Sequence, residues 1–209
     1  MSFYRTMYRI FAPLVRGVYR LRSIGVENIP QTGCILASNH TAFSDVLIIS
    51  AAAERQVRYM AKKELFRIPL LSQLITGLGA YPVNRGGADV GSIKRTIQML
   101  EEGELIGIFP QGHRYGKQDP RTTPVKGGIG MIAYHTKAAV IPAFVDSKRG
   151  KTGAFQKNTV IFGRPIPFEE LGFENGGAKE YQQVSEKIFA AVCALKYGKY
   201  TDSSAEQKE

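Results

Sequence analysis

Acidic residues are scarce in this chain, and none occurs before Glu27. Eighteen Asp and Glu stand against 28 Lys and Arg, a formal net charge of +10. That imbalance points to an anionic partner: nucleic acid, a phospholipid surface or a phosphorylated substrate. Cysteine is nearly absent. Cys34 and Cys193 lie far apart in apolar surroundings, which excludes a disulfide framework and reads as two reduced core thiols. Only three histidines occur, His40, His113 and His135, and none stands at ligand spacing from cysteines or carboxylates, so no metal site is expected. Long hydrophobic runs are missing too. The longest charge-free stretch, 68–84, is broken by Pro69, Gly77, Gly79 and Pro82, whereas a membrane span needs about 20 apolar residues. Arg5, Arg9 and Arg16 interrupt every candidate apolar core of a signal peptide. The expectation is a chain that is soluble or lies on the cytoplasmic face of a membrane without crossing it.

What is present is enough for one well-buried domain. At 209 residues the chain reads as a basic amphipathic helix over 1–22, a domain over 23–200 and a polar tail over 201–209. At about 100° per residue, Phe3, Met7, Ile10, Phe11, Leu14, Val18 and Leu21 fall on one face of the first helix, with Tyr4, Tyr8 and Tyr19 on its shoulders. Arg5, Arg9, Arg16 and Arg20 fall opposite, and Arg22 fits neither face. Such a helix suits an anionic headgroup boundary, or else packs its apolar face on its own domain. Pro13 is expected to kink or restart it.

From Gly25 onward strand-like and helix-like segments alternate. Strands are expected at 35–38, 57–61, 80–83, 105–109, 140–144 and 159–162, and helices at 45–53, 70–76, 92–102, 128–135 and 179–195. Alternation with short connections predicts a single layered α/β domain with a mostly parallel central sheet flanked by helices. In such sheets ligands gather at the carboxyl ends of the strands. His40, Arg85 and the segment 110–114 each follow a strand directly.

The segment Asn39-His40-Thr41-Ala42-Phe43-Ser44-Asp45 is where the chemistry concentrates. The apolar run from Cys34 breaks into polar residues at Ser38 and resumes as a buried helix at Asp45, with Thr41 or Ser44 as the expected N-cap. His40 then stands at the mouth of a strand and Asp45 in the first turn of a helix, close enough for the carboxylate to reach the imidazole. Imidazole titrates near pH ~6.5 when unperturbed, so it can take and return a proton at neutral pH. A carboxylate on one ring nitrogen fixes the tautomer and stabilises the imidazolium. The attacking hydroxyl can belong to the substrate. One such spacing is weak by itself.

Four further segments follow in order. Ala61-Lys62-Lys63-Glu64-Leu65 leaves a strand and opens a helix. Gly79-Ala80-Tyr81-Pro82-Val83-Asn84-Arg85 ends a strand on arginine. Phe109-Pro110-Gln111-Gly112-His113-Arg114 ends another in a turn followed by arginine. Val140-Ile141-Pro142 is an apolar strand whose internal proline marks an edge or a bulge, preceded by a helix start at Lys126-Gly127-Gly128. Together with the His40 segment these blocks, between Gly25 and Gly163, resemble the glycerophospholipid acyltransferase family, and within it the acyltransferases acting on 1-acylglycerol-3-phosphate. The family's motifs N-H-x-x-x-x-D, G-x-x-x-x-x-R, F-P-E-G-T-R and V-I-P match in sequence, with Gln111 and His113 replacing the usual Glu and Thr of the third.

The resemblance implies transfer of a fatty acyl group from a thioester, acyl-coenzyme A or acyl-acyl-carrier protein, to the free hydroxyl of a lysophospholipid acceptor, with no resident cofactor. It assigns catalysis to His40 and Asp45. Arg85 and Arg114, with Lys62 and Lys126 as auxiliary charges, suit the acceptor phosphate. Gln111, Gly112 and Asn39 are expected to position the acceptor. The N–H groups at Gly112 or at the helix start after His40 are expected to serve the oxyanion, and Phe43, Leu65, Phe66 and the segment 70–78 the acyl chain. An anionic membrane surface is the expected partner. No nucleic-acid module accompanies the positive charge. The rival readings are another lyso-acceptor or a non-catalytic lipid-binding protein.

Overall fold

The apolar run Cys34–Ser38 is buried along its whole length, and a strand hidden on both faces must have helices on both. The computed structural model describes residues 3–83 and 90–197. The expected phosphate ligand Arg85 and the tail 201–209 lie outside the described residues. The strands are β1 (Leu21–Ile24), β2 (Cys34–Ser38), β3 (Val57–Lys62), β4 (Tyr81–Val83), β5 (Leu105–Ile108), β6 (Ala139–Ser147) and β7 (Asn158–Phe162). The helices are α1 (Phe3–Val18), α2 (Ser44–Ala52), α3 (Pro69–Gly77), α4 (Val90–Glu101), α5 (Gly128–Thr136), the single turn α6 (Phe168–Leu171) and α7 (Ala178–Tyr197). Among the described residues the strands form one sheet in the order β1-β7-β6-β2-β5-β3-β4. Every pairing is parallel except the β6–β7 hairpin. The expected α/β domain with its mostly parallel sheet and N-terminal helix is what the chain forms.

Side chains alternate across β2 as a pleated strand requires. Ile35 and Ala37 face a core built with Leu100 of α4, Ile129 and Ile132 of α5, and Val184, Ile188 and Val192 of α7. Cys34 and Leu36 face the other core, with Ile48, Ile49 and Ala52 of α2. Helix α1 lies outside α2, joined to it by Tyr8 Oη and the Arg16 guanidinium, both donating to the Ala51 carbonyl at 3.0–3.1 Å.

Three expectations need correcting. The first helix stops at Val18, and Leu21–Ile24 is an edge strand paired with β7. Arg22 fitted no helical face because it belongs to that strand. Helix α1 runs through Pro13 and does not restart there. Its packed side is the tyrosine shoulder, Tyr8, Ala12 and Arg16 against α2, while Ile10, Phe11 and Leu14 of the apolar stripe are exposed. Pro142 sits in an interior strand, yet no ladder bond is missing. On its β7 side the strand has ended at Phe162, and Gly163 N–H donates to the Pro142 carbonyl with no N–H needed in return. Between the Ala143–Phe162 and Val140–Ile166 pairs two residues, 141–142, face three, 163–165, so the bulge expected at that proline lies in the partner segment opposite it.

Candidate active site

The centre of the sheet places the site. Strand β2 lies between β5 and β6 and runs parallel to both, so His40 leaves the carboxyl edge beside the turn that follows β5. Two side chains fix that exit. Asn39 acts as a strand in miniature: its amide nitrogen donates to the Val145 carbonyl at 3.1 Å and its oxygen accepts the Val145 N–H at 2.8 Å. Gln111 Oε1 accepts the His40 backbone N–H at 2.7 Å, and its amide nitrogen donates to Thr123 Oγ1 at 2.7 Å. The His40 carbonyl accepts from the N–H of Tyr115 at 3.0 Å. Asn39 and Gln111, expected to position the acceptor, are buried, and their hydrogen bonds hold the loop that carries His40.

His40 Nδ1 lies 2.9 Å from Asp45 Oδ2. The carboxylate is wholly inaccessible to solvent while the imidazole keeps a narrow exposed edge. A buried carboxylate is tolerable only when its lone pairs are satisfied, and those of Asp45 are. Oδ2 also accepts the N–H groups of Thr41 at 2.5 Å and Ala42 at 2.8 Å. Oδ1 accepts the hydroxyls of Thr152 at 2.7 Å and Thr41 at 3.2 Å. Its place in the first turn of α2 puts the negative charge at the favourable end of the helix dipole. This also corrects the expected cap. Neither Thr41 nor Ser44 caps α2; the Asp45 side chain folds back over the preceding turn and takes its N–H groups.

With the carboxylate accepting at Nδ1, the imidazole hydrogen sits there and Nε2 carries the free lone pair. The ring is clamped flat on Phe109, centroids 3.9 Å apart and planes 12° from parallel, and Phe109 stacks in turn on Tyr59 at 5.9 Å. Gly107 makes the stack possible, since a Cβ there would come within 2.3 Å of the Tyr59 ring. Burial pushes the Tyr59 phenol far above its ordinary range, so it remains a neutral platform.

Arg114 precedes Tyr115, whose N–H holds the His40 carbonyl, and Lys126 N–H is tied to the Pro110 carbonyl at 2.8 Å. Gly112, left-handed at φ 71°, makes the turn between them. Arg114 and Lys126 are exposed on this loop pair, and neither forms an ion pair among the described residues. Lys62 ends β3 at the same sheet edge, on the far side of β5. The expected oxyanion donors are otherwise engaged: the Thr41 and Ala42 N–H groups bind Asp45, and Gly112 N–H binds the Phe109 carbonyl. His113 is exposed and His135 stays on α5, edge-on to Tyr134. No group of three or more His, Cys, Asp or Glu gathers as a metal site among the described residues. Burial raises both thiols, Cys34 and Cys193, to about 11.

Sequence reasoning missed Thr152 and Thr123. Both lie outside the recognisable blocks, and only the three-dimensional return of the β6–β7 connection brings Thr152 onto Asp45. The expected acyl-chain residues remain largely outward. Helix α3 buries none of its residues, and Phe43, Ile68, Leu70 and Leu74 are exposed.

Fold and site together define an α/β enzyme with a carboxylate-steadied imidazole at a strand end, an arrangement suited to taking a proton from a hydroxyl. The acyltransferase family profile matches residues 20–146. The chain belongs to that family. Over 169 residues, 77% of this chain and 82% of the relative, it is 33% identical to the 1-acyl-sn-glycerol-3-phosphate acyltransferase of Bacillus subtilis. It is 27% identical to the enzyme of that name from Streptococcus pneumoniae over 70% of this chain and 54% of the other. In fold it is similar to the crystal structure of the 1-acyl-sn-glycerophosphate acyltransferase of Thermotoga maritima, with a TM-score of 0.62 at 20% identity, covering 92% of this chain and 83% of that one.

Proposed function

We propose that the protein transfers a fatty acyl group from a thioester donor to the sn-2 hydroxyl of 1-acylglycerol-3-phosphate, giving phosphatidic acid. The observation that carries this reading is the His40–Asp45 pair, at 2.9 Å, with Nε2 unengaged among the described residues at the sheet edge that also bears Arg114 and Lys126. His40 Nε2 takes the acceptor's hydroxyl proton as the oxygen attacks the thioester carbonyl, and Asp45 stabilises the imidazolium. When the tetrahedral adduct collapses, the carbon–sulfur bond breaks and the imidazolium returns the proton to the departing thiolate. The acceptor phosphate meets Arg114, with Lys126 and Lys62 as supporting charges and Arg85 as a further candidate. The donor is acyl-coenzyme A or acyl-acyl-carrier protein.

The enzyme works peripherally on an anionic membrane surface, at its cytoplasmic face. No helix among the described residues is long and apolar enough to cross a membrane, and Ile10, Phe11 and Leu14 of α1 face outward.

The test is a panel of lyso-acceptors assayed against both thioester donors with the wild type and His40→Ala. Transfer to 1-acylglycerol-3-phosphate is expected to fall by at least ~10²–10⁴-fold in the variant, with its thermal unfolding unchanged. Full turnover by a folded His40→Ala protein overturns the mechanism, and turnover confined to another acceptor overturns the substrate.

A further inference from the structure

Four cations and no carboxylate line a cavity of about 480 Å³ at the tip of the β6–β7 hairpin: Arg20, Lys148, Arg149 and Lys157, together with Phe155 and Gln156. None of the four cations forms an ion pair among the described residues. In their midst the Phe155 ring is 81% exposed, on a backbone at φ 59°, a left-handed conformation that a bulky residue rarely adopts. The hydrogen bonding holds it there. Phe155 N–H donates to the Val18 carbonyl at 2.7 Å, and Asn158 Nδ2 donates to the Tyr19 carbonyl at 2.6 Å. These are carbonyls that the end of α1 would otherwise leave without partners. The hairpin is thereby fastened to the C-terminal end of α1, one turn beyond Leu14. The exposed ring thus stands at the end of the helix that leaves Ile10, Phe11 and Leu14 outward, among the four cations.

We infer that the β6–β7 hairpin is a second membrane contact, in which Phe155 enters the bilayer boundary while Arg20, Lys148, Arg149 and Lys157 cup the headgroup of an anionic phospholipid. The inference deepens the membrane reading given for α1 and takes its orientation from that helix. Charge complementarity sets the sign of the partner. An acidic carrier protein would satisfy the charges as well, but an outward aromatic ring encircled by cations favours a lipid boundary, which takes an apolar group and positive charges together. The inner side of the same connection supplies Thr152 to Asp45, so the contact lies beside the reacting groups.

The test is co-sedimentation of the full chain with phosphatidylcholine vesicles with and without phosphatidylglycerol. The variants are Lys148→Ala/Arg149→Ala/Lys157→Ala, Phe155→Asn, and Ile10→Ser/Leu14→Ser on α1. Asparagine tolerates the left-handed backbone, so Phe155→Asn removes the ring without unfolding the hairpin. At roughly fivefold per charge, the triple variant is expected to bind anionic vesicles about 100-fold more weakly at low ionic strength, the gap closing as salt rises. Phe155→Asn is expected to lose about tenfold at every salt concentration. Both variants should turn over a short-chain, monomeric acceptor at the wild-type rate. Wild-type vesicle binding by the hairpin variants, with loss in the α1 variant, overturns the inference and leaves the α1 reading standing. Wild-type binding by all three overturns both. Unchanged vesicle binding with a raised KM for acyl-carrier protein makes the carrier the occupant and overturns the inference.

Discussion

Replacing Thr152 by valine tests whether the carboxylate beneath His40 depends on a residue that no motif marks. Valine keeps the shape of threonine and removes one hydroxyl. In the wild type that hydroxyl donates to Asp45 Oδ1 at 2.7 Å and receives Ser44 Oγ at 2.8 Å. Without it, Oδ1 retains only the longer Thr41 contact at 3.2 Å, in a place water does not reach. A hydrogen bond to a charged group contributes about 1.5–3 kcal/mol. Ser44 is only half-buried and can turn to solvent, so little is added to that. The expected loss is about 2 kcal/mol, which for a chain of this size lowers Tm by about 4–8 °C. Asp45 also orients the imidazole, so kcat is expected to fall about tenfold with KM for both substrates unchanged, as befits a positioning residue that touches neither. Thr152→Ser retains the donor and should recover both quantities to within about twofold in rate and ~0.5 kcal/mol in stability. Wild-type Tm and kcat in the valine variant refute the reasoning. Equal damage in the serine variant refutes it too, because the lost methyl would then be responsible.

Asp45→Asn keeps an acceptor for the Thr41 and Ala42 N–H groups but removes the charge facing the imidazolium. Unit charges roughly 4 Å apart at an effective dielectric of about 20 interact by about 4 kcal/mol, so kcat is expected to fall about 10³-fold in a folded protein; a drop under tenfold in single-turnover rates contradicts the role. Arg114→Ala should raise KM for the phosphorylated acceptor by about 30-fold, the worth of one charge-assisted contact, and leave the donor KM alone; an unchanged acceptor KM assigns the phosphate elsewhere. Gln111→Glu buries a carboxylate beside Thr123, and burial raises a carboxyl pKa above its unfolded value. The variant is therefore expected to match the wild type in acid and to lose about 1–2 kcal/mol as pH rises through that raised pKa; identical melting at pH 5 and pH 8 contradicts the buried hydrogen-bond direction.

The central strands β2 and β5 were legible in the sequence because burial on both faces makes them nearly continuous apolar runs. Cys34–Ser38 and Leu105–Ile108 are buried throughout, and apolar runs of that length between turn signals have few other readings. Strand β1 was not legible. It is an edge strand of four residues with an exposed arginine, and its stability comes from parallel pairing with residues 158–161, more than 130 positions away. The His40–Asp45 pair was legible because both members belong to one strand–loop–helix unit, five residues apart. Thr152, which completes the carboxylate's shell across 107 positions, was not. The orientation of α1 escaped for a related reason. Periodicity shows that a helix has an apolar stripe, but which side packs inward depends on what the neighbour offers. Helix α2 offers the Ala51 carbonyl at its C-terminal end, and Tyr8 and Arg16 can donate to it where leucine and phenylalanine cannot.

The same distinction between position and partner accounts for Gln111. A carboxylate is usual there in related acyltransferases, and an amide cannot serve as a base. Gln111 is 1% exposed, however, so the position faces the loop and has no surface to offer a substrate. Its bonds run in one direction. Thr123 Oγ1 donates to the Pro120 carbonyl at 2.6 Å, so its lone pair is what remains for Gln111, and only a donor, which an ionised carboxylate lacks, can use it. The oxygen on the other branch accepts the His40 N–H. An amide thus joins the Pro120–Thr123 turn to the strand end that bears His40, donating on one branch and accepting on the other, whereas a carboxylate would need the Thr123 hydroxyl to turn away from the Pro120 carbonyl, which would keep only the Thr123 N–H. In this chain glutamine is the residue whose hydrogen-bonding pattern fits the turn, and its presence is compatible with turnover under the proposed mechanism, which gives the proton to His40.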